Sequence, residues 1–197
     1  PLWLLYVPKY NMNNESDNLI TYVNALRNEN MNNKKTIFGT CIARHDPIGM
    51  RGKISSEINK YGKMEYAGRW RNGDKPKIGP LRKDKIEYLK KVEYSVCAES
   101  FSVSHYCSEK IFEAFMGGTI PIYWSKDILA EEGILKRESY CVYDELEIKE
   151  MMKNNKKYKM KDIFTENAYN VLKCEYYDKL KSNLINLLRE KGFIDGL

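Results

Sequence analysis

Residues 94–124, reading YSVCAESFSVSHYCSEKIFEAFMGGTIPIYW, constrain the fold of this chain more than any other stretch. A short apolar strand passes into a polar loop, a helix opens on Ser108, Glu109 and Lys110, Gly117 and Gly118 close it, and a second strand follows. Strand, helix and strand in so few residues describe a crossover unit, which joins parallel neighbours. The reversal from strand to helix is also a natural anion cradle, because unpaired N–H groups and the positive end of the helix dipole converge there. Tyr106, Glu109 and Lys110 stand at that turn. A phosphorylated ligand on this segment is the first expectation.

The alternation extends along the chain. Apolar runs at 36–43, 64–67, 94–98 and 140–142 read as strands, and another at 2–7 is ended by Pro8. Leu19, Ile20, Tyr22, Val23 and Leu26 recur at helical spacing. Ile54, Ile58 and Tyr61 mark one face of a helix over 52–60, and Ile86 and Leu89 one over 82–91. Short helices are expected at 126–132 and 145–153, with a lysine-rich turn at 153–161. A long amphipathic helix packed on the domain is carried by Ala168, Val171, Leu172, Tyr176, Leu180, Leu184, Leu187 and Leu188. Strands alternating with short helices predict an α/β fold, a doubly wound, Rossmann-like parallel sheet flanked by helices. In such sheets ligands bind beyond the C-terminal ends of the strands. The loops 44–51, 68–80 and 99–108 meet that condition and hold most of the polar residues of interest.

Composition narrows the function. At 197 residues, 43% hydrophobic and 30% charged, the chain has the size and balance of one ordinary globular domain. Its net charge of +6 is modest, its lysines read mainly as solvated helix faces, and no dense basic and aromatic stripe points to nucleic acid. The five cysteines show neither a C-x-x-C pair nor zinc spacing. Cys41, Cys97 and Cys141 fall in apolar runs and read as buried free thiols. That favours a reducing, cytoplasmic setting, with the Golgi lumen as the alternative for a secretory-pathway enzyme. No run reaches the roughly 18–20 apolar residues of a membrane span, which leaves peripheral membrane association open for a longer protein. There is no P-loop, dinucleotide fingerprint or G-x-S-x-G elbow. With only His45 and His105 and no D-x-D pair, neither a metal site nor a cofactor is expected. A diphosphate held without metal needs Arg, Lys and backbone donors. Arg44, Arg51, Lys110 and the helix start at 109–111 are the candidates.

Four blocks resemble one known family, the α-1,3-fucosyltransferases. FGTCIARHDPIGMRGKISSEINKYGKMEYAGRW (38–70) is similar to the family's strand, Ser-bearing loop, Arg, helix and V-D-x-Y-G-R. KIEYLKKVEYSVCAES (85–100) is similar to its K-x-x-x-L-x-x-Y-K-F-x-L-x-F-E-N-S. HYCSEKIFEAFMGGTIPIYW (105–124) is similar to its D-Y-V-T-E-K-x-x-x-A-x-x-x-G-x-x-P-V-Y-W-G and is the most specific of the four. LYVPKY (5–10) is a weaker match to the end of the acceptor half.

The resemblance implies the C-terminal, donor-binding half of a GT-B glycosyltransferase, inverting and metal-independent, working in glycan biosynthesis. Its partners would be GDP-fucose as donor and a glycan hydroxyl as acceptor. It implies Arg51 and Lys110 on the diphosphate, Glu109 on a sugar hydroxyl, Tyr106 on the nucleotide, and Glu99 and Ser100 in the donor site. Residues 1–33 would be a remnant of the acceptor domain or an interdomain segment, 34–160 the donor domain and 161–197 the terminal helix. Ala98 and Ser100 replace the family's Phe and Asn, Ala43 its Ser, and Ser125 the Gly after Tyr-Trp. The family's catalytic base is a Glu of the acceptor half, upstream of the matching region, so no catalytic residue is assigned. Two alternatives stand beside this reading: a catalytically silent nucleotide- or partner-binding module, and a transferase using another nucleotide sugar.

Overall fold

The computed structural model describes residues 19–72, 77–104, 106–126, 128–171 and 174–191. The expected strand at 2–7, the LYVPKY block and His105 lie outside the described residues. Five strands form one sheet: β1 (Ile37–Cys41), β2 (Met64–Tyr66), β3 (Val92–Ala98), β4 (Ile120–Trp124) and β5 (Cys141–Val142). Their order is β2-β1-β3-β4-β5 and every neighbouring pair is parallel. The helices are α1 (Leu19–Asn30), α2 (Met50–Ile58), α3 (Arg82–Leu89), α4 (Lys110–Met116), α5 (Ile128–Glu131), α6 (Glu145–Lys153), α7 (Glu166–Val171) and α8 (Cys174–Glu190). The expected α/β class and parallel sheet are present. None of these helices is long and apolar enough to cross a membrane.

The differences from expectation lie at element ends. β3 starts at Val92 rather than Tyr94 because Val92 is already in register with Ile37 of β1. α2 starts at Met50 rather than Gly52 because a side chain from the preceding loop caps it, as described below. The lysine-rich turn contains a short 3-10 helix, Lys156–Lys159. The expected long terminal helix is helical over both of its described stretches, α7 and α8. In α8, Leu184 and Leu187 of the apolar stripe are 41% and 50% exposed.

Alternation along the strands divides the interior into two layers. In β3, Tyr94, Val96 and Ala98 face one way and join Ile54 and Ile58 of α2 and Ile148 and Met151 of α6. Cys97 faces the other way and joins Ile86 of α3, Phe112 and Phe115 of α4, and Ile20 and Val23 of α1. Ile163, Phe164 and Ala168 complete that second layer. The described part of 1–33 therefore shares a core with the sheet. α2 crosses from β1 to β2 on one face, and α3 crosses back from β2 to β3 on the other. The direction of winding reverses between β1 and β3, which makes their C-terminal ends the switch point of the sheet.

The opposite, N-terminal edge is closed by one lysine. The Lys35 ammonium donates to Asn30 O (3.2 Å), Lys90 O (3.0 Å) and Gly117 O (3.1 Å), at the C-terminal ends of α1, α3 and α4 respectively. A cation with three donors meets three helix ends whose last carbonyls lack intrahelical partners and whose dipoles are negative. Burial pulls its pKa down to about 8, while Glu93 works the other way. The three ends meet closely because Gly118, at φ 67, lies against the Asn30 backbone where any Cβ would collide. Lys35→Met should therefore lower unfolding free energy by about 2–3 kcal/mol in urea denaturation. A loss under about 0.5 kcal/mol, the scale of an ordinary surface substitution, would show that water serves those carbonyls equally well.

Candidate functional site

The two loops that leave the switch point are each held by a carboxylate. After β1, Asp46 accepts from the backbone N–H of Arg51 (3.1 Å) and of Gly52 (2.8 Å), the first-turn donors of α2. After β3, Glu99 is 1% exposed and does the corresponding work for the turn into α4. Its carboxylate accepts from Ser108 N at 2.8 Å, lies 2.8 Å from the Ser108 hydroxyl through both oxygens, and meets the Lys110 ammonium at 2.8 Å. Lys110 also donates to Ser108 Oγ at 2.7 Å, which closes the triangle. The backbone N–H of Glu99 continues the ladder to Trp124 O at 3.0 Å.

The Glu99 side chain is fully buried against Lys110 and Ser108 and holds those residues in place. At the turn read from the sequence as an anion cradle, Ser108 and Lys110 bond to this protein's own carboxylate. A buried carboxylate is tolerable here because an ammonium, a hydroxyl and a backbone N–H all point at it.

Arg51 is likewise built into the frame. It is 4% exposed, and its guanidinium donates to His45 O, to Ala98 O (3.2 Å) and to Ser100 Oγ (3.2 Å). One side chain thus ties the β1 loop to the end of β3, and Arg51, Ser100, Glu99 and Lys110 form a contiguous group at the switch point. Tyr106 and Glu109 flank it, half-buried. Glu109 precedes the first turn of α4 without a side-chain capping bond, and its charge bears on Lys85. Lys85 itself forms an ion pair with Glu113 that joins α3 to α4.

Below this group the side chains are inert packing. Burial pushes the Cys97 thiol up to about 12 and raises Cys107 as well, so neither is a reactive thiolate at neutral pH. Tyr123 is fully buried and packs edge-on against Tyr140, with ring centroids 6.0 Å apart, and burial raises its phenol too. Among the described residues no three His, Cys, Asp or Glu side chains gather as a metal site.

A cleft of about 400 Å³ opens beside the group, beyond the C-terminal ends of β1 and β2. Ile42, Ala43, Arg44, Gly68, Arg69 and the segment from Ile78 to Pro80 line it. Gly68 is required there, since a Cβ would strike the Ala43 backbone. Arg44 and Arg69 are exposed, and among the described residues neither guanidinium has a hydrogen-bond or ion-pair partner. These two are the uncommitted cations of this edge, whereas Arg51 and Lys110 are partly consumed by the fold. Sequence reading named Arg44 but missed Arg69, Asp46 and Ser108. A serine two residues before a lysine at a helix start, with a glutamate ending the strand before it, was the available signal for Ser108.

Removing Glu99 should unbalance the whole group. Glu99→Ala leaves Lys110 and two Ser108 donors without their anion and should cost about 3 kcal/mol in chemical denaturation. In a double-mutant cycle with Lys110→Ala, the coupling should exceed about 1 kcal/mol. Additive losses would mean that the pair is solvated and does not act as a unit.

No family model matches the chain. The α-(1,3)-fucosyltransferase FucT of Helicobacter pylori is 26% identical over 131 residues, which make up 66% of this chain and 26% of that protein. A solved α1,3-fucosyltransferase structure aligns with a TM-score of 0.51 at 24% identity, over 63% of this chain and 37% of the other. Structures of an α1,3-fucosyltransferase with GDP-fucose and with GDP align at TM-scores of 0.51 and 0.52, at 22% and 21% identity, each over 71% of this chain and 42% of the other. These likenesses in three dimensions establish the fold. The chain spans about a quarter of the length of the curated relative, 26%. The chain is thus similar in sequence to an α-(1,3)-fucosyltransferase and similar in fold to solved α1,3-fucosyltransferases, in each case over part of their length.

Proposed function

We propose that the chain is the donor-binding part of an inverting, metal-independent transferase that moves fucose from GDP-fucose to a glycan hydroxyl. The observation that carries this reading is the placement of Arg51, Ser100 and Lys110 at the β1/β3 switch point, beside a cleft with two uncommitted arginines. A cleft of about 400 Å³ lies in the range of small-molecule sites and suits a nucleoside. The adjoining Lys110 has two of its three N–H groups committed to Glu99 and Ser108, which leaves one for a phosphate oxygen.

The reaction would run as follows. A base on another part of the protein takes the proton of the acceptor hydroxyl. The hydroxyl oxygen attacks the anomeric carbon in line with the bond to phosphate. A new glycosidic bond forms, the old bond breaks with inversion, and GDP leaves with the electron pair. This chain's contribution is cationic: Arg44, Arg69 and Lys110 meet the charge that grows on the leaving diphosphate. The buried free thiols Cys41, Cys97, Cys107 and Cys141 fit the reducing, cytoplasmic setting that belongs to the same proposal.

The internal engagement of Arg51 and Lys110 favours one second reading, a module that binds nucleotide without turnover. Titration calorimetry with GDP and GDP-fucose separates the outcomes. Binding of both is expected, and Arg69→Ala and Lys110→Ala should each weaken GDP by about 1.5–3 kcal/mol. Binding without transfer to an N-acetyllactosamine-type acceptor, even in the full-length protein, would favour the silent module. No heat with either ligand at millimolar concentration would remove both readings.

A further inference from the structure

Phe101 follows Ser100 at the C-terminal edge and is 55% exposed, although its loop is anchored on both sides. Ser100 Oγ accepts from Arg51 at 3.2 Å, Ser125 Oγ donates to Phe101 O at 3.4 Å, and Lys126 donates to Ser104 Oγ at 3.1 Å. Val103 of the same loop is 49% exposed, and Ile48 of the facing β1 loop is 43% exposed. Scattered apolar residues on a surface need no explanation, but these three stand on the two loops that Arg51 binds together. A phenyl ring held there leaves its face to be covered by something else.

The strand order says what lies next to it. Along the edge β2-β1-β3-β4, the nucleoside-sized cleft is at β2/β1, the Arg51–Lys110 group at β1/β3, and Phe101 beyond β3, tied to the exit of β4. Neighbouring strands are about 4.8 Å apart, so the cleft and Phe101 are separated by about 10 Å along the edge. That is comparable with the separation of two rings joined through a diphosphate. The ring at the far end of a nucleoside-diphosphate sugar is the sugar.

We propose that Phe101 is the platform on which the sugar of the nucleotide-sugar donor stacks, and that it selects a sugar with an apolar face, such as a 6-deoxyhexose. The C–H groups of such a face carry partial positive charge and meet the negative face of the phenyl ring, while the ring is withdrawn from water. This inference rests on the donor-binding reading above. Its test compares GDP with GDP-fucose by titration calorimetry in the wild-type chain, Phe101→Ala and Phe101→Trp. Wild type should bind GDP-fucose more tightly than GDP. Phe101→Ala should weaken GDP-fucose about five- to tenfold and leave GDP within about twofold, and Phe101→Trp should keep the preference. Equal effects on both ligands, or none on either, would overturn the platform and leave the donor site standing. A wild-type chain that binds neither ligand would overturn the donor site and the platform with it.

Discussion

The carboxylate of Glu99, buried at the end of the central strand, is the constraint on which the functional edge of this protein depends. It takes a backbone N–H, a hydroxyl and an ammonium from one short segment, Ser108 to Lys110, and so fixes where the chain turns from β3 into α4. Asp46 does the equivalent for the turn from β1 into α2. Arg51 then joins the two turns by donating across the switch point. An anion supplied by the protein satisfies a helix start that would otherwise seek one from solution. The turns of this edge are therefore held by the protein's own groups.

This bonding divides the cations into two groups. Arg51 is committed to carbonyl oxygens and a serine, and it works as a strut. Lys110 has two of its three donors committed and keeps one to offer. Arg44 and Arg69, around the adjoining cleft, have no hydrogen-bond or ion-pair partner among the described residues. In the proposed donor site the buried groups position and the exposed ones bind. On that proposal diphosphate binding depends on residues at the rim more than on those most deeply embedded in the recognised motif. The remote edge contributes stability alone: Lys35 draws three helix ends together and keeps the layer beneath the site in register.

How far the sequence disclosed this varied with the physics of each element. The parallel sheet was legible because buried strands are short apolar runs and the helices between them carry their own period. Thr36 to Ala43 and Tyr94 to Ala98 needed no tertiary information. The grouping of Arg51 with Ser100 was legible only through family resemblance, since these residues are remote in sequence and meet through a guanidinium. The burial of Glu99 was not legible because a motif gives a residue's neighbours in sequence but not its burial. Ser108, Asp46 and Arg69 were missed for a related reason: a serine bridge, a cap from a loop and an unpaired cation are defined by what stands across from them. In α8 the apolar period was present, yet Leu184 and Leu187 are exposed. Amphipathicity fixes a helix but not the surface it meets.

The central claim is that a nucleoside diphosphate lies along the C-terminal edge, with its phosphates at the switch point and its nucleoside in the cleft. Amide chemical shifts of the isotopically labelled chain during titration with GDP test it most directly. The account predicts saturable shifts in the segments 42–52, 68–72 and 99–110, with the N-terminal edge around Lys35 and Lys91 unmoved. Shifts confined to that opposite edge, or none in the presence of millimolar GDP, would contradict it.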